Sequence, residues 1–518
     1  MKFNPFFMFS REESETKVAN DRLLSYAAGL TGQNMTYSFV STRLFVYLNT
    51  ILKIPSEKTG WITGISTLWD AVNDPLIGGL IDRRKHKPGQ KLRPFLLWTP
   101  VIIGILVFLM FVDFGLPEMQ TIALVLVLYI LFDVFYSLQD ISIWGISAMS
   151  SPDSAERRRV IQWISISAGL GGTIAGLFPA MKDLFVTEGI MTEKNTYILG
   201  AAIFAIGGML IAMLAYRMKE KVEPTEEAGK TSVIQDILDL RHNKTLIIVC
   251  LARTVQSISL ALPWEYFFET QGLAYKLGNV EISGGKAQVA YGFIMGIPGA
   301  FAMFFAVKLI NRLGGNKKLL VFSEAATLIA RILAFFIGAN DRFLNIGALA
   351  AVMALLGTAQ IFTNMKDIAH RSLLTNSIDE VELKTGKRTE GIVFSMQNFV
   401  SKLTGAIPKF IQGYFLKWLG FDANVKVASN QTVINAQTAT RFLKYRWHHF
   451  ILGPAIGSLL YLIVILFLDN DDAKHMEEVE QALKEKREAV NKLHDLISLI
   501  LEEFSVVETP PMIDNKKR

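Results

Sequence analysis

The stretch LWDAVNDPLIGGLIDRRKHKPGQK, residues 68–91, opens as an apolar helix and then brings Asp70, Asn73 and Asp74 in quick succession. A proline and two glycines follow, and the stretch closes on a burst of basic residues. The spacing i, i+3, i+4 predicts a single helix face for the three polar groups. In a membrane span, each carboxylate costs several kcal/mol unless it is paired or hydrated. The two also repel each other, so the arrangement makes sense with a cation between them. Carboxylate and amide oxygens are hard ligands suited to Na+ or Li+, and a carboxylate can take a proton instead. Pro75 frees a backbone carbonyl nearby as a further ligand. The alternative is a structural ion pair with a basic residue on another helix.

The rest of the chain supports the membrane reading. Of its 518 residues, 51% are hydrophobic and only 19% charged, and mean hydropathy is positive. A soluble chain carries about a quarter charged residues. Here the apolar residues gather into blocks such as VIIGILVFLMFVDFGL, YILGAAIFAIGGMLIAMLAY and ILGPAIGSLLYLIVILFL. A span needs about 20 such residues. Spans are expected near 23–52, 59–82, 95–113, 119–148, 159–180, 196–217, 244–270, 286–311, 317–338, 343–372, 390–419 and 448–469. The fold class is therefore an all-α membrane protein of about twelve transmembrane helices.

Orientation follows from charge. The loop after the second helix holds Arg83, Arg84, Lys85, Lys87, Lys91 and Arg93, and the one after the fourth holds Arg157, Arg158 and Arg159. The loop after the eighth has Arg312, Lys317 and Lys318, whereas DFGLPEMQ on the opposite side has no Lys or Arg. The positive-inside rule puts both termini in the cytoplasm, in a multi-pass plasma-membrane protein. The segment before the last span, with Lys426, Arg441, Lys444 and Arg446, dissents; it is long, and long loops obey the rule less well.

The organisation expected is a cytoplasmic lead-in (1–22), a six-helix bundle (23–217), a polar central loop (218–243), a second six-helix bundle (244–469) and a cytoplasmic tail (470–518). The halves echo each other: Leu80-Ile81-Asp82-Arg83 ends the second helix and Leu309-Ile310-Asn311-Arg312 ends the eighth. Two parallel six-helix repeats are the plan of a major facilitator transporter. In the tail, Met476, Val479, Leu483, Val490, Leu493, Ile497, Ile500 and Phe504 keep helical spacing. That is an amphipathic helix, docking on the bundle or the lipid headgroups, or pairing with a partner.

Other chemistry is thin. Cys250 is the sole cysteine, and no histidine spacing suits a metal, so no cofactor is expected beyond a coupling ion. The opening residues lack the core and cleavage site of a signal peptide. The net charge of +6 is explained by the basic loops and calls for no nucleic acid. A DxD pattern at 469–472 suits a glycosyltransferase, but it lies at a span's end where charges are expected. A monomer is expected.

The fourth helix places Asp133, Ser137 and Asp140 at i, i+4 and i+7, with Trp144 one turn further. A carboxylate beside a flat ring suits a polyhydroxylated ligand, the acid fixing hydroxyls and the ring stacking on C–H faces. The alternative for Trp144 is an interfacial belt residue. The eleventh helix carries Gln397, Asn398, Ser401 and Lys402, and an ammonium there needs a carboxylate partner. Lys366, Asp367 and His370, like Arg253 and Glu265, are divided between cavity-lining and helix-end roles.

DAVNDPLIGGLIDRRKHKPGQKLRPFLL resembles the helix-two signature of the glycoside–pentoside–hexuronide:cation symporters. DEVELKTGKRTEG, before the eleventh helix, resembles a second family signature, and YSLQDISIW is similar to the family's fourth-helix segment. The likeness runs from about residue 24 to residue 468. It implies cation ligands at Asp70, Asn73 and Asp74, with Ser137 in place of a threonine, and sugar contacts at Asp140 and Trp144. It implies coupling through Lys402, with Gln397 and Asn398 beside it. A cytoplasmic gate would form from Asp82, Arg83, Arg388 and Glu390. The sequence departs from the family's galactoside-binding pattern. Asn34, preceded by Gln33, replaces an aspartate, and Ser165 replaces an arginine. Asp133 replaces a glycine, and Asp367 a tryptophan. Asn34, Asp133 and Asp367 are thus expected to shape the grip on a different sugar. The function implied is import of a sugar or glycoside by symport with Na+, Li+ or H+. The alternatives are a facilitator of lipid-like solutes and a cation-coupled exporter.

Overall fold

The computed structural model describes residues 14, 16–87, 89–221, 244–257, 262–268, 274–277, 280–385, 390–420 and 436–468, with positions 478, 481, 482 and 485. Most of the expected amphipathic tail, most of the central loop and residues 421–435 lie outside these residues; Arg441, Lys444 and Arg446, expected in a loop, lie instead in the last helix, which begins at Ala436.

The first half contains α1 (Asn20–Thr50), α2 (Ser56–Arg83), α3 (Phe95–Met110), α4 (Glu118–Met149), α5 (Ser154–Ala175) and α6 (Phe178–Thr187). Its last span runs through α7 (Glu193–Gly200), a π-helical turn (Ala201–Gly207), α8 (Gly208–Ala212) and a 3-10 turn (Met213–Arg217). The second half contains α9 (Lys244–Ser257), α10 (Trp264–Phe268), α11 (Gly284–Leu313), α12 (Asn316–Gly338), α13 (Ile346–Thr385), α14 (Glu390–Leu419) and α15 (Ala436–Ile465). Pro55, Pro94 and Pro117 stand just before α2, α3 and α4. A missing N–H there breaks no helical bond, and the fixed φ suits a helix start. Thr192 and Ser283 cap α7 and α11, accepting from the N–H groups of Asn195 and Lys286.

Each expected span is largely helical among the described residues. Six helices among the described residues are long and apolar enough to cross a membrane by composition alone, α4, α12 and α13 among them. Helices such as α2 and α14 carry charges that the bundle takes inside. Two spans are interrupted. The expected helix over 244–270 divides into α9 and α10, with Leu262 and Pro263 non-helical between them. Pro263 biases the residue before it away from helix, and the Leu262 N–H donates to the His449 carbonyl instead (3.1 Å). The fifth span breaks between α5 and α6, just ahead of Pro179. A short antiparallel hairpin, β1 (Ala274–Leu277) with β2 (Val280–Ser283), leads into α11.

Each half has its own apolar core. In the first, Phe39, Tyr47, Phe111, Phe178, Tyr197 and Phe204 pack together. In the second, Phe267, Phe343, Trp447 and Phe450 do so, joined by Phe45 and Val46 of α1. The halves meet along α2 and α14. A Cβ on Gly60 would stand 2.8 Å from the Lys409 carbonyl, and one on Gly413 would stand 2.6 Å from the Ser56 carbonyl. Only glycine allows the two backbones to come this close. Around that crossing, Trp61 Nε1 donates to Tyr414 (2.9 Å) and Lys417 pairs with Glu57 (2.7 Å). Tyr266 donates to Asn49 (2.6 Å), and the Gly285 N–H donates to Asp183 (2.7 Å). These contacts lie where α1, α6 and α14 end and where α2 and α11 begin. That is one end of the bundle, opposite the start of α1.

Candidate functional site

Below that closed end, α2, α4 and α14 bring charge together. Asp70 and Asp74, one helical turn apart on α2, both point at α4 and α14. Ser137 Oγ donates to Asp74 at 2.7 Å and lies 3.3 Å from Asp70. Lys402 Nζ stands 3.0 Å from Asp70 and bonds Asp74 as well. All three charged side chains are half-buried, so water reaches them. The expected cation ligands Asp70, Asp74 and Ser137 thus converge, with Lys402 between the carboxylates. Asn73 turns elsewhere. It is buried, and its amide donates to the backbone carbonyl of Asp133 (3.3 Å). At i+3 from Asp70 it sits on the edge of the face, where the packed α4 backbone offers a nearer partner.

Asp133 is buried and accepts a hydrogen bond from Ser66. Beside it, Lys409 of α14 donates to Thr67 (2.6 Å). Asp140 accepts from Gln33 (2.9 Å). Asn34 donates to the Leu30 carbonyl within its own helix (3.0 Å). Gln33, rather than Asn34, is therefore the first-helix residue that reaches Asp140. Trp144 is partly buried against an apolar cluster containing Ile143 and Ile146. Tyr37 of α1 stacks on Tyr136 at 5.1 Å and remains about half exposed, presenting a ring near Ser137 and Asp140.

Asp367 is not part of this group. It lies in the second half, paired with Arg253 at 3.0 Å and 3.8 Å from His370. Next to it, buried Lys366 pairs with buried Glu324 at 2.5 Å. Gln256 bridges the two at 2.8 and 3.1 Å. His370 Nε2 meets the Tyr461 hydroxyl at 2.5 Å. Lys366 and His370 are therefore interior residues, not helix-end ones. Glu265 is buried too, beside Tyr266. The gate candidates Asp82, Arg83 and Glu390 and the pair Gln397 and Asn398 have helical backbone, but their side chains lie outside the described residues, as does all of Arg388.

Sequence reasoning missed Lys409, Ser66, Gln33, Tyr37 and Glu324. Lys409 stands at i+7 from Lys402, and Ser66 at i−4 from Asp70. Both spacings put the residue on the face already identified. Glu324 had no such neighbour to mark it.

The arrangement has a charge excess. Asp70, Asp74, Asp133 and Asp140 act on one another across α2 and α4, and Lys402 and Lys409 are the cations facing them among the described residues. A low-dielectric site with more carboxylates than ammonium groups binds cations or protons to balance it.

Residues 25–472 match the family described as MFS/sugar transport protein. Among individual proteins, the chain is 26% identical over 410 residues to a sulfoquinovose importer candidate of Escherichia coli (strain K12), covering 78% of this chain and 82% of that one. It is 24% identical over 488 residues to the uncharacterized symporter YjmB of Bacillus subtilis (strain 168), covering 90% and 97%. It is 24% identical over 497 residues to the lactose permease of Lactobacillus helveticus, covering 91% and 73%. In fold it is similar to the nucleoside transporter NupG, with a TM-score of 0.59 at 13% identity over 86% of this chain and 99% of that one. The D-xylose-proton symporter gives 0.55 at 12% identity over 86% and 98%.

Proposed function

This chain belongs to the MFS/sugar transport protein family, and on that premise we propose that it imports a sugar or glycoside by symport with Na+, Li+ or H+. It is a multi-pass membrane transporter and not an enzyme. The observation that carries the coupling is Lys402 held between Asp70 and Asp74, with Ser137 bonded to both. A cation that displaces the ammonium meets hard oxygen ligands from two helices of one half, and α14 of the other half is released from them. Loading thereby changes the free energy of contact between the halves, which is what couples an ion to alternating access.

The sugar grip is read at Asp140, with Gln33, Tyr37 and Trp144 around it. A carboxylate and an amide fix hydroxyls, and exposed ring faces take sugar C–H surfaces. The names of the relatives, a lactose permease and a sulfoquinovose importer candidate, support a sugar-type solute. With the termini in the cytoplasm, as the basic loops favour, the joined end of the bundle faces outside, in the plasma membrane. The polar interior argues against a lipid-like solute.

Reconstitution in liposomes tests the proposal. Labelled sugars, offered with and without an imposed Na+ or proton gradient, are expected to accumulate uphill only with the gradient. Uptake that merely equilibrates under every gradient refutes coupling. Uptake of no sugar or glycoside refutes the substrate class.

A further inference from the structure

The second half pairs its interior charges: buried Glu324 with buried Lys366, and the more exposed Asp367 with Arg253. Arg331 stands apart from them. It lies on α12 at i+7 from Glu324, and its Nη1 donates to the Pro454 carbonyl (2.8 Å) and to Ser458 Oγ (2.6 Å). Among the described residues no carboxylate comes within ion-pair distance of it. A guanidinium keeps its proton, so its charge cannot be shed. Glu324, two turns away on α12, acts on that charge but is already paired with Lys366, so the guanidinium is only partly compensated inside a span, where charge is costly.

Arg331 lines a cavity of about 60 Å³ together with Tyr291, Met295, Gln360, Phe450 and Pro454. That is room for several waters or one compact anionic group. The Tyr291 hydroxyl bonds to none of the described residues. One turn before it on α11, Gln288 is buried, and neither of its amide atoms has a partner among the described residues. Among the described residues the guanidinium edge formed by Nε and Nη2 likewise has no acceptor. That edge matches two oxygens of a carboxylate, sulfonate or phosphate. We infer that the cavity beside Arg331 is a subsite for a compact oxyanion, taken in bidentate fashion by Arg331 with Tyr291 and Gln360 alongside. It is built from α11, α12, α13 and α15 and does not depend on the carboxylate–lysine site.

The oxyanion can be part of the transported solute or a free inorganic ion. Titrate the purified full-length protein with glucuronate, glucose, sulfate and chloride at matched ionic strength, following melting temperature and heat of binding. Glucuronate or sulfate is expected to bind and to raise the melting temperature above the glucose and chloride controls. Arg331→Gln is expected to weaken that binding about tenfold or more. Binding of glucuronate alone assigns the anion to the solute, and binding of sulfate alone assigns it to an inorganic ion. Either outcome supports the subsite. No effect of either oxyanion on the parent protein overturns it, as does undiminished binding in Arg331→Gln. If that variant does not fold, Arg331→Lys replaces it, keeping the charge but not the fork, and unchanged affinity there overturns the proposal.

Discussion

Asp70 and Asp74 share one lysine, and that sharing determines what each substitution does. Asp74→Asn removes one of the two carboxylates proposed to hold the cation, so uphill accumulation under a Na+ or proton gradient is expected to fall at least about tenfold. Exchange of sugar down its own gradient is expected to persist, because Asp140 is untouched. Asp70→Asn is expected to behave alike, and normal accumulation in both would remove this face as the cation site. Lys402→Ala leaves two half-buried carboxylates facing each other, and transport at equal expression is expected to be impaired more than in Lys402→Arg. Asp140→Asn is expected to cost about 1–3 kcal/mol of sugar affinity, read by titration in saturating Na+. Helical spacing made most of this group legible, since i, i+4 and i+7 bring Asp70, Asp74, Ser137 and Asp140 to common faces. It failed at Asn73, where the neighbouring α4 backbone competes for the amide. It failed also at Asp367, where a basic partner, Arg253, sits on a distant helix. Partners chosen by tertiary packing leave no trace in local spacing.

The glycine contact between α2 and α14 is what lets the halves close at one end. Gly413→Leu places a branched side chain where a Cβ already lies 2.6 Å from the Ser56 carbonyl. It is expected to hold that end apart. In a Cys250→Ala background, Trp61→Cys would then react several-fold faster with a membrane-impermeant thiol reagent added outside. Equal labelling with and without Gly413→Leu would refute the assignment of this crossing as the outer closure. A second tie is Glu220, whose carboxylate accepts from the N–H groups of Lys91, Leu92 and Arg93 at 2.7–2.8 Å. Glu220→Ala strands those donors, and a loss of about 1–3 kcal/mol is expected in unfolding measurements. The number and order of long helices were legible because a span's length and apolarity are fixed by the bilayer. The breaks were less so. Pro263 and Pro179 were available signals, and the Gly-Asn pair at 278–279 between alternating residues is a hairpin cue. A search tuned to apolar length passes over all three.

At the scale of the molecule, the charges around the carboxylate–lysine site are divided unevenly between the halves. The first half contributes Asp70, Asp74, Asp133 and Asp140, whereas Lys402 and Lys409 reach across from α14 of the second. Attraction across the interface therefore adds to apolar contact in holding the halves together. The division was only partly readable in the sequence, since it depends on which helices are neighbours across the cavity. Under the proposed symport, Lys402 has a last consequence for the working cycle. A symporter that has delivered its cargo must turn back without its ion, and bare carboxylates resist being sealed into an apolar barrier. On the proposed coupling, the tethered ammonium is an internal stand-in that takes the ion's seat on the homeward stroke. The carrier can then reset unladen, without dragging an ion back the way it came.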